Sequence, residues 1–188
     1  PGALVKAALA HVQFETIHPF LDGNGRVGRL LIALILHHDG VLRQPLLYLS
    51  LYFKQHRAEY YRQLDAVRHT GDWESWLDFF LEGVEQTATG AVDTAHRLLA
   101  LFQQDAARVR TLGRSAANAL HLFDTLRRRP VATIGMLAQQ TGVSFATAAR
   151  HVEALVHLGI LHELTHKSRE RVFAYQRYLD ILNEGAQA

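Results

Sequence analysis

Residues 18–29 read His-Pro-Phe-Leu-Asp-Gly-Asn-Gly-Arg-Val-Gly-Arg, and their types and order suit the transfer of a phosphorus group. A loop that feeds a helix N-terminus presents unsatisfied backbone N–H groups and the positive end of the helix dipole, which together attract an anion. Gly23 and Gly25 let the backbone turn tightly and approach a ligand closely, and Asn24 between them tolerates left-handed geometry and carries a side-chain amide. Arg26 and Arg29, three apart on the helix that follows, lean toward the same end of it. Two guanidiniums beside a nest of N–H groups suit a polyphosphate better than a single carboxylate. Asp22, immediately before the nest, is placed to share Mg²⁺ with bound phosphates, the other ligands being phosphate oxygens and water. His18 stands four residues earlier, and an imidazole, with its ordinary pKa of ~6.5, can take a proton from a hydroxyl near neutral pH. A base, a metal carboxylate, an anion nest and two arginines describe a phosphoryl or nucleotidyl transfer site.

The elements that must hold this loop read as helices. Apolar periodicity predicts one helix from Leu4 to Ile17, a loop broken by Pro19, Gly23 and Gly25, and a second helix from Arg26 to His38. The second is apolar through Leu30, Leu31, Leu34 and Ile35, so it is expected to be buried on most sides, and Asp39-Gly40 stops it. Leu46 to Phe53 and His56 to His69 form two more, the latter ended by Thr70-Gly71. Asp72 caps a further helix from Trp73 to about Arg110, with interruptions at Gly83 and Gly90. Trp73 and Trp76 are expected as core anchors, Tyr60 and Tyr61 as core or rim residues. Thr111-Leu112-Gly113 marks a boundary that divides the chain into domains 1–111 and 112–188. Beyond it, Ser115–Arg129, Ile134–Gln140 capped by Thr133, and Phe145–Leu158 capped by Ser144 read as helices. Ile160–Leu164 and Arg171–Tyr175 read as strands of a hairpin closed by Thr165–Glu170, and Gln176–Asn183 as a last helix. The expected fold class is mainly α with one small β-hairpin, and no internal repeat is visible.

Residues 18–29 match His-x-Phe-x-(Asp/Glu)-Gly-Asn-Gly-Arg-x-x-Arg at every fixed position, and over residues 1 to about 110 the chain resembles the Fic family. The resemblance implies a protein adenylyltransferase that uses ATP and Mg²⁺. His18 would deprotonate a Ser, Thr or Tyr hydroxyl of a target protein, or of the enzyme itself, and that oxygen would attack the α-phosphate. Asp22 would hold Mg²⁺, Gly23, Asn24 and Gly25 would form the anion hole, and Arg26 and Arg29 would hold the β- and γ-phosphates. Phe20 would be a buried anchor of the loop. The Doc-like branch of the same superfamily transfers phosphate instead and departs from Gly-Asn-Gly, which this sequence keeps. In the family a substrate-docking flap, and in many members an inhibitory helix whose Glu pairs with the second motif arginine, here Arg29, lie upstream of the motif. Residue 1 is Pro and Met136 is the only Met, so both segments are expected in an N-terminal part that precedes this sequence.

Residues 114–176 carry eight Lys/Arg against four Asp/Glu, a net +4 within a chain of net +2, and resemble a winged helix-turn-helix. In such a module Thr147 and Arg150 would face the major groove, and Lys167, Arg169 and Arg171 on the wing would meet phosphates. Such modules also serve as protein docking or dimer modules, so DNA binding and homodimer formation both stand open. A second reading of the whole chain is a transcription regulator that binds DNA and only senses nucleotide. With no cysteine there is no disulfide framework and no thiolate metal site, and a reducing cytoplasm is expected. The longest apolar run, Leu30 to Leu36, is too short to span a bilayer, so no membrane partner is expected. The 12 histidines show no shared metal-ligand spacing, and His162 and His166 fall across a strand and a turn.

Overall fold

The structure, a computed structural model, describes residues 1–43, 47–165, 167 and 170–187. Among the described residues it is mainly α, with nine α-helices and one three-stranded antiparallel sheet. No helix among them is long and apolar enough to cross a membrane. The chain forms two compact units, Pro1–Ala91 and Val92–Ala188.

In the first unit, α1 (Ala3–Ile17) and α2 (Asn24–His38) pack on each other, followed by α3 (Leu49–Gln55), α4 (Arg57–Thr70) and the first part of α5 (Trp73–Arg110). Their core is built from Ala8, Val12, Ile32, Leu36, Phe53, Leu64, Trp76 and Phe80. Gly71, in left-handed geometry, ends α4, and Asp72 accepts the N–H of Ser75 at 3.1 Å to start α5.

Several expectations are corrected here. The apolar α2 is buried along one stripe only, Gly28, Ile32, Ala33 and Leu36. Its other row, Val27, Leu30 and Leu34, is exposed at 40%, 55% and 48%. A helix that packs against one main neighbour buries one stripe, however apolar the rest of its surface. Trp76 is fully buried, whereas Trp73, on the first turn of α5, points outward. The expected breaks at Gly83 and Gly90 do not occur, and α5 runs through both. Gly83 is there for space: a Cβ would stand 2.5 Å from the Tyr52 ring.

In the second unit the later part of α5 joins α6 (Ala116–Arg128), α7 (Ile134–Thr141), α8 (Phe145–His157) and α9 (Gln176–Gln187). The sheet has the order β1 (Val131–Thr133), β3 (Val172–Ala174), β2 (His162–Glu163), with Ala132 opposite Phe173 and Glu163 opposite Phe173 on the other side. Thr133 and Ser144 cap α7 and α8 as expected, accepting the N–H groups of Met136 and Thr147 at 3.2 Å each.

The units divide at 91/92, earlier than the expected 111/112. Leu101, Phe102 and Val109 of α5 enter the second core. Asp105, with no exposed surface, accepts the Tyr175 hydroxyl at 2.7 Å, Arg108 at 2.9 Å and Arg177 at 3.2 Å. The strand β1 had no counterpart among the expected elements. Three residues behind Pro130 are too few to show alternation, and pairing with β3 alone makes them a strand.

Candidate functional site

The loop between α1 and α2 is held by backbone geometry at both ends. His18 terminates α1 in left-handed geometry, φ 49°, with its N–H donating to Phe14 O at 3.0 Å. Gly23 precedes α2 at φ 84°, a conformation that glycine adopts without strain. Asn24, the first residue of α2, closes the loop on itself. Its Oδ1 accepts the Phe20 N–H at 2.9 Å and its Nδ2 donates to the Phe20 carbonyl at 2.6 Å. Asn24 is 2% exposed, while Phe20 is 52% exposed with its ring 6.2 Å from that of Phe14. The expected roles are therefore exchanged: Asn24, not Phe20, is the buried anchor of the loop. The reason is chemical, because a side-chain amide can satisfy the N–H and C=O of one residue together and a phenyl ring can satisfy neither.

With its side chain so engaged, Asn24 offers a ligand its backbone. The Gly23 carbonyl accepts the N–H groups of Arg26 at 3.1 Å and Val27 at 3.0 Å, and the Gly23 N–H donates to Asp22 Oδ1 at 2.6 Å. The N–H groups of Asn24 and Gly25 find no acceptor among the described residues. They are the orphan donors of a helix N-terminus, where the dipole favours negative charge. Both arginines fold back over this end: Arg26 Nη2 lies 3.4 Å from the position of a Cβ on Gly23, and Arg29 Nη1 lies 3.1 Å from one on Gly25. A side chain at either glycine would occupy the space above the nest.

Asp22 also pairs with Arg26 at 3.3 Å, both side chains being largely in solvent, so this pair is weakly held and open to exchange for phosphate or a cation. Among the described residues no three His, Cys, Asp or Glu side chains gather into a metal cage. A single exposed carboxylate beside an anion nest fits Mg²⁺ that arrives with phosphates, and does not fit a metal held by protein alone. The His18 imidazole is exposed, leaving it open to an incoming hydroxyl.

Behind the loop lies a group of buried polar residues that the motif did not reveal. His11 Nε2 and the Tyr60 hydroxyl are 2.9 Å apart, and the His11 ring stacks on Phe53 and Trp76. Burial lowers the His11 pKa to about 4 and raises that of Glu15, one turn further on. Gly28 lets α2 approach these side chains, since a Cβ there would stand 2.7 Å from Glu15 Oε1 and 3.1 Å from the His11 ring. The readable signal was the His11–Glu15 spacing on the buried face of α1 opposite a glycine, but the facing helix was needed to give it meaning. Beside Arg29 opens a cleft of about 320 Å³ lined by Phe53, Lys54, Arg57, Tyr60 and Tyr61. It brings aromatic faces and three cationic side chains to the edge of the motif helix.

Residues 1–36 match the Fic/DOC family, and residues 115–164 match the IclR helix-turn-helix domain. The likeness to the Fic/DOC family covers α1, the loop and most of α2. A protein adenylyltransferase Fic from Aedes aegypti is 40% identical to it over 81 residues, 43% of this chain and 15% of that protein. The protein adenylyltransferase fic-1 of Caenorhabditis elegans is 37% identical over 93 residues, 48% of this chain and 17% of that protein. The chain thus spans well under a quarter of the length of these relatives. A crystal structure of a Fic family protein from Desulfovibrio desulfuricans G20 aligns with a TM-score of 0.48 at 23% identity, covering 93% of this chain and 50% of that one.

The expected contacts of the second unit are divided by the structure. Arg150 on α8 and Lys167 are exposed and form no ion pair among the described residues. Thr147 is half-buried, and its hydroxyl lies 2.9 Å from Ser144 Oγ in the cap of α8. Arg171 is engaged by Glu153 at 2.7 Å and Glu163 at 2.8 Å and lies over the Phe173 ring. Thr147 thus bonds within the cap of α8, and Arg171 bridges Glu153 of α8 and Glu163 of β2. Arg169 lies outside the described residues.

Proposed function

We propose that the first unit transfers AMP from ATP to a hydroxyl side chain of a target protein. The observation that carries this reading is the pair of N–H groups of Asn24 and Gly25, without acceptors among the described residues and flanked by Arg26 and Arg29, with the exposed His18 imidazole at the other end of the same loop. The nest and arginines bind the polyphosphate. His18 takes the proton as the target oxygen bonds to the α-phosphorus, the bond from that phosphorus to the bridging oxygen breaks, and pyrophosphate leaves. Asp22 would hold Mg²⁺, which supplies charge neutralisation at the phosphates. The cleft beside Arg29, with Tyr60 and Tyr61, is of a size and character to take the nucleoside. The named activity of the insect and nematode relatives supports the reading. For the second unit we infer duplex DNA as partner, supported by the helix-turn-helix match and the basic excess of residues 114–176.

The test of the first reading compares ATP labelled at the α- or γ-phosphate, with Mg²⁺ and cell lysate as the source of targets. Label transferred from the α position, and lost in His18→Ala and Arg29→Ala, is expected. Transfer from the γ position would replace AMP transfer by phosphotransfer. ATP binding without transfer from either position would leave a nucleotide sensor.

A further inference from the structure

The helix that reads base edges in a helix-turn-helix does so with its first turns, and in α8 those turns have an unusual composition. Ala148, His151, Val152 and Leu155 face the core. The outward row begins Ala146, Arg150 and Glu153, bordered by Phe145 and Ala149. Glu153 is held by Arg171, and the Thr147 hydroxyl is held in the N-cap. Arg150 is then the one exposed side chain of the first two turns that carries hydrogen-bond donors and makes no hydrogen bond among the described residues, the His151 ring being buried. The face contains no Asn or Gln to read adenine and no free carboxylate to read cytosine. What it can read is guanine, by Arg150, and the 5-methyl group of thymine, by apolar contact.

Phe145 supplies that contact. It is 62% exposed on the first turn of α8, where its ring is open to a base edge. It borders a cavity of about 850 Å³ that also involves Ile134, Ala149, Val172 and Lys167. Its apolar side chains suit thymine methyl groups, and Lys167, which forms no ion pair among the described residues, suits a flanking phosphate; Thr133, Thr165, Glu170 and Arg171 also line it, and the surrounding segment carries a net +4. We propose that Phe145 is a specificity-determining residue that selects thymine-containing sites by contact with the 5-methyl group, with Arg150 fixing a neighbouring guanine. This rests on the DNA-binding reading of the second unit.

The experiment selects bound duplexes from a random-sequence pool with the whole chain and sequences them. The most enriched duplex is then resynthesised with deoxyuridine in place of thymidine, which removes only the methyl groups. Enrichment of thymine next to guanine is expected, together with a loss of about fourfold in affinity for each contacted methyl removed. Phe145→Ala should bind the thymine and uracil duplexes equally, Phe145→Leu should keep part of the difference, and affinity for a poly(dG)·poly(dC) duplex should be unchanged in both. Selected sites without thymine preference, or equal wild-type affinity for both duplexes, would overturn the role of Phe145 and leave DNA binding standing. Recovery of no DNA above background would remove the DNA reading and this inference together. In that case a fall in sedimentation mass on Phe145→Ala would assign the face to contact between two copies of the chain.

Discussion

Asp105→Ala tests why the second unit includes the end of α5. The carboxylate has no exposed surface and accepts three hydrogen bonds, from Tyr175, Arg108 and Arg177. Arg108 also donates to the Leu158 carbonyl, which ties α5 to the end of α8. Removing one member of a buried ion pair typically costs 3–5 kcal/mol, about that much because the partners stay behind without a counter-charge. Here the two guanidinium side chains are 40% and 42% exposed and can rehydrate, which places the expected cost near the lower end, about 3 kcal/mol. For a unit of this size that corresponds to a fall in Tm of roughly 12–24 °C. Both tryptophans, Trp73 and Trp76, lie in the first unit, so fluorescence follows that unit while circular dichroism follows both. Thermal unfolding of Asp105→Ala should lower the dichroism transition that fluorescence does not report and leave the fluorescence transition in place. Tyr175→Phe should lower the same transition by about 1 kcal/mol. A cost of less than ~1 kcal/mol for Asp105→Ala would refute the buried network as the reason for the boundary.

Asn24→Ala removes both bonds that close the loop; it is expected to cost about 2 kcal/mol, to abolish hydrogen-exchange protection of the Phe20 amide and to weaken ATP binding, while Phe20→Ala leaves ATP affinity within about twofold. Retained protection of that amide in Asn24→Ala would count against Asn24 as the anchor. His11 gives a pH dependence: the unfolded chain binds the proton at its ordinary 6.5 and the folded chain only near 4, so stability falls as pH is lowered from 6.5 toward 4, by up to roughly 3 kcal/mol. Glu15, raised by burial, acts in the opposite sense above its ordinary 4.5, so the measurement is the difference in denaturant stability between wild type and His11→Gln across pH 7 to 5. Parallel pH profiles for the two proteins would rule out a buried neutral His11.

The candidate site was legible at residue level. Twelve consecutive positions contain His18, Asp22, the glycine-flanked Asn24 and both arginines, and such a loop is local, so its chain order already places its parts near one another. Helix ends were legible for the same reason: Asp72, Thr133 and Ser144 cap helices by bonds that span three residues. The exchange of roles between Phe20 and Asn24 was not legible, because whether a phenyl ring or an amide is buried depends on what packs above the loop. Nor was the exposed row of α2, since periodicity reports which residues could be buried and not how many neighbours the helix has.

What the sequence by itself determined is what short-range chemistry determines: the helical order of the chain, the glycine-containing loop of residues 18–29, and the basic helix-turn-helix after it. The tertiary structure decided the rest. It made Gly28 and Gly83 spacers for His11, Glu15 and Tyr52, drew the end of α5 into the second unit through Asp105, made a strand of Val131–Thr133, and gave Arg171 and Thr147 partners within the protein. Each of these depends on groups brought together from distant positions. Local bonding rules carry no information about such meetings until the packed core has fixed which surfaces face each other.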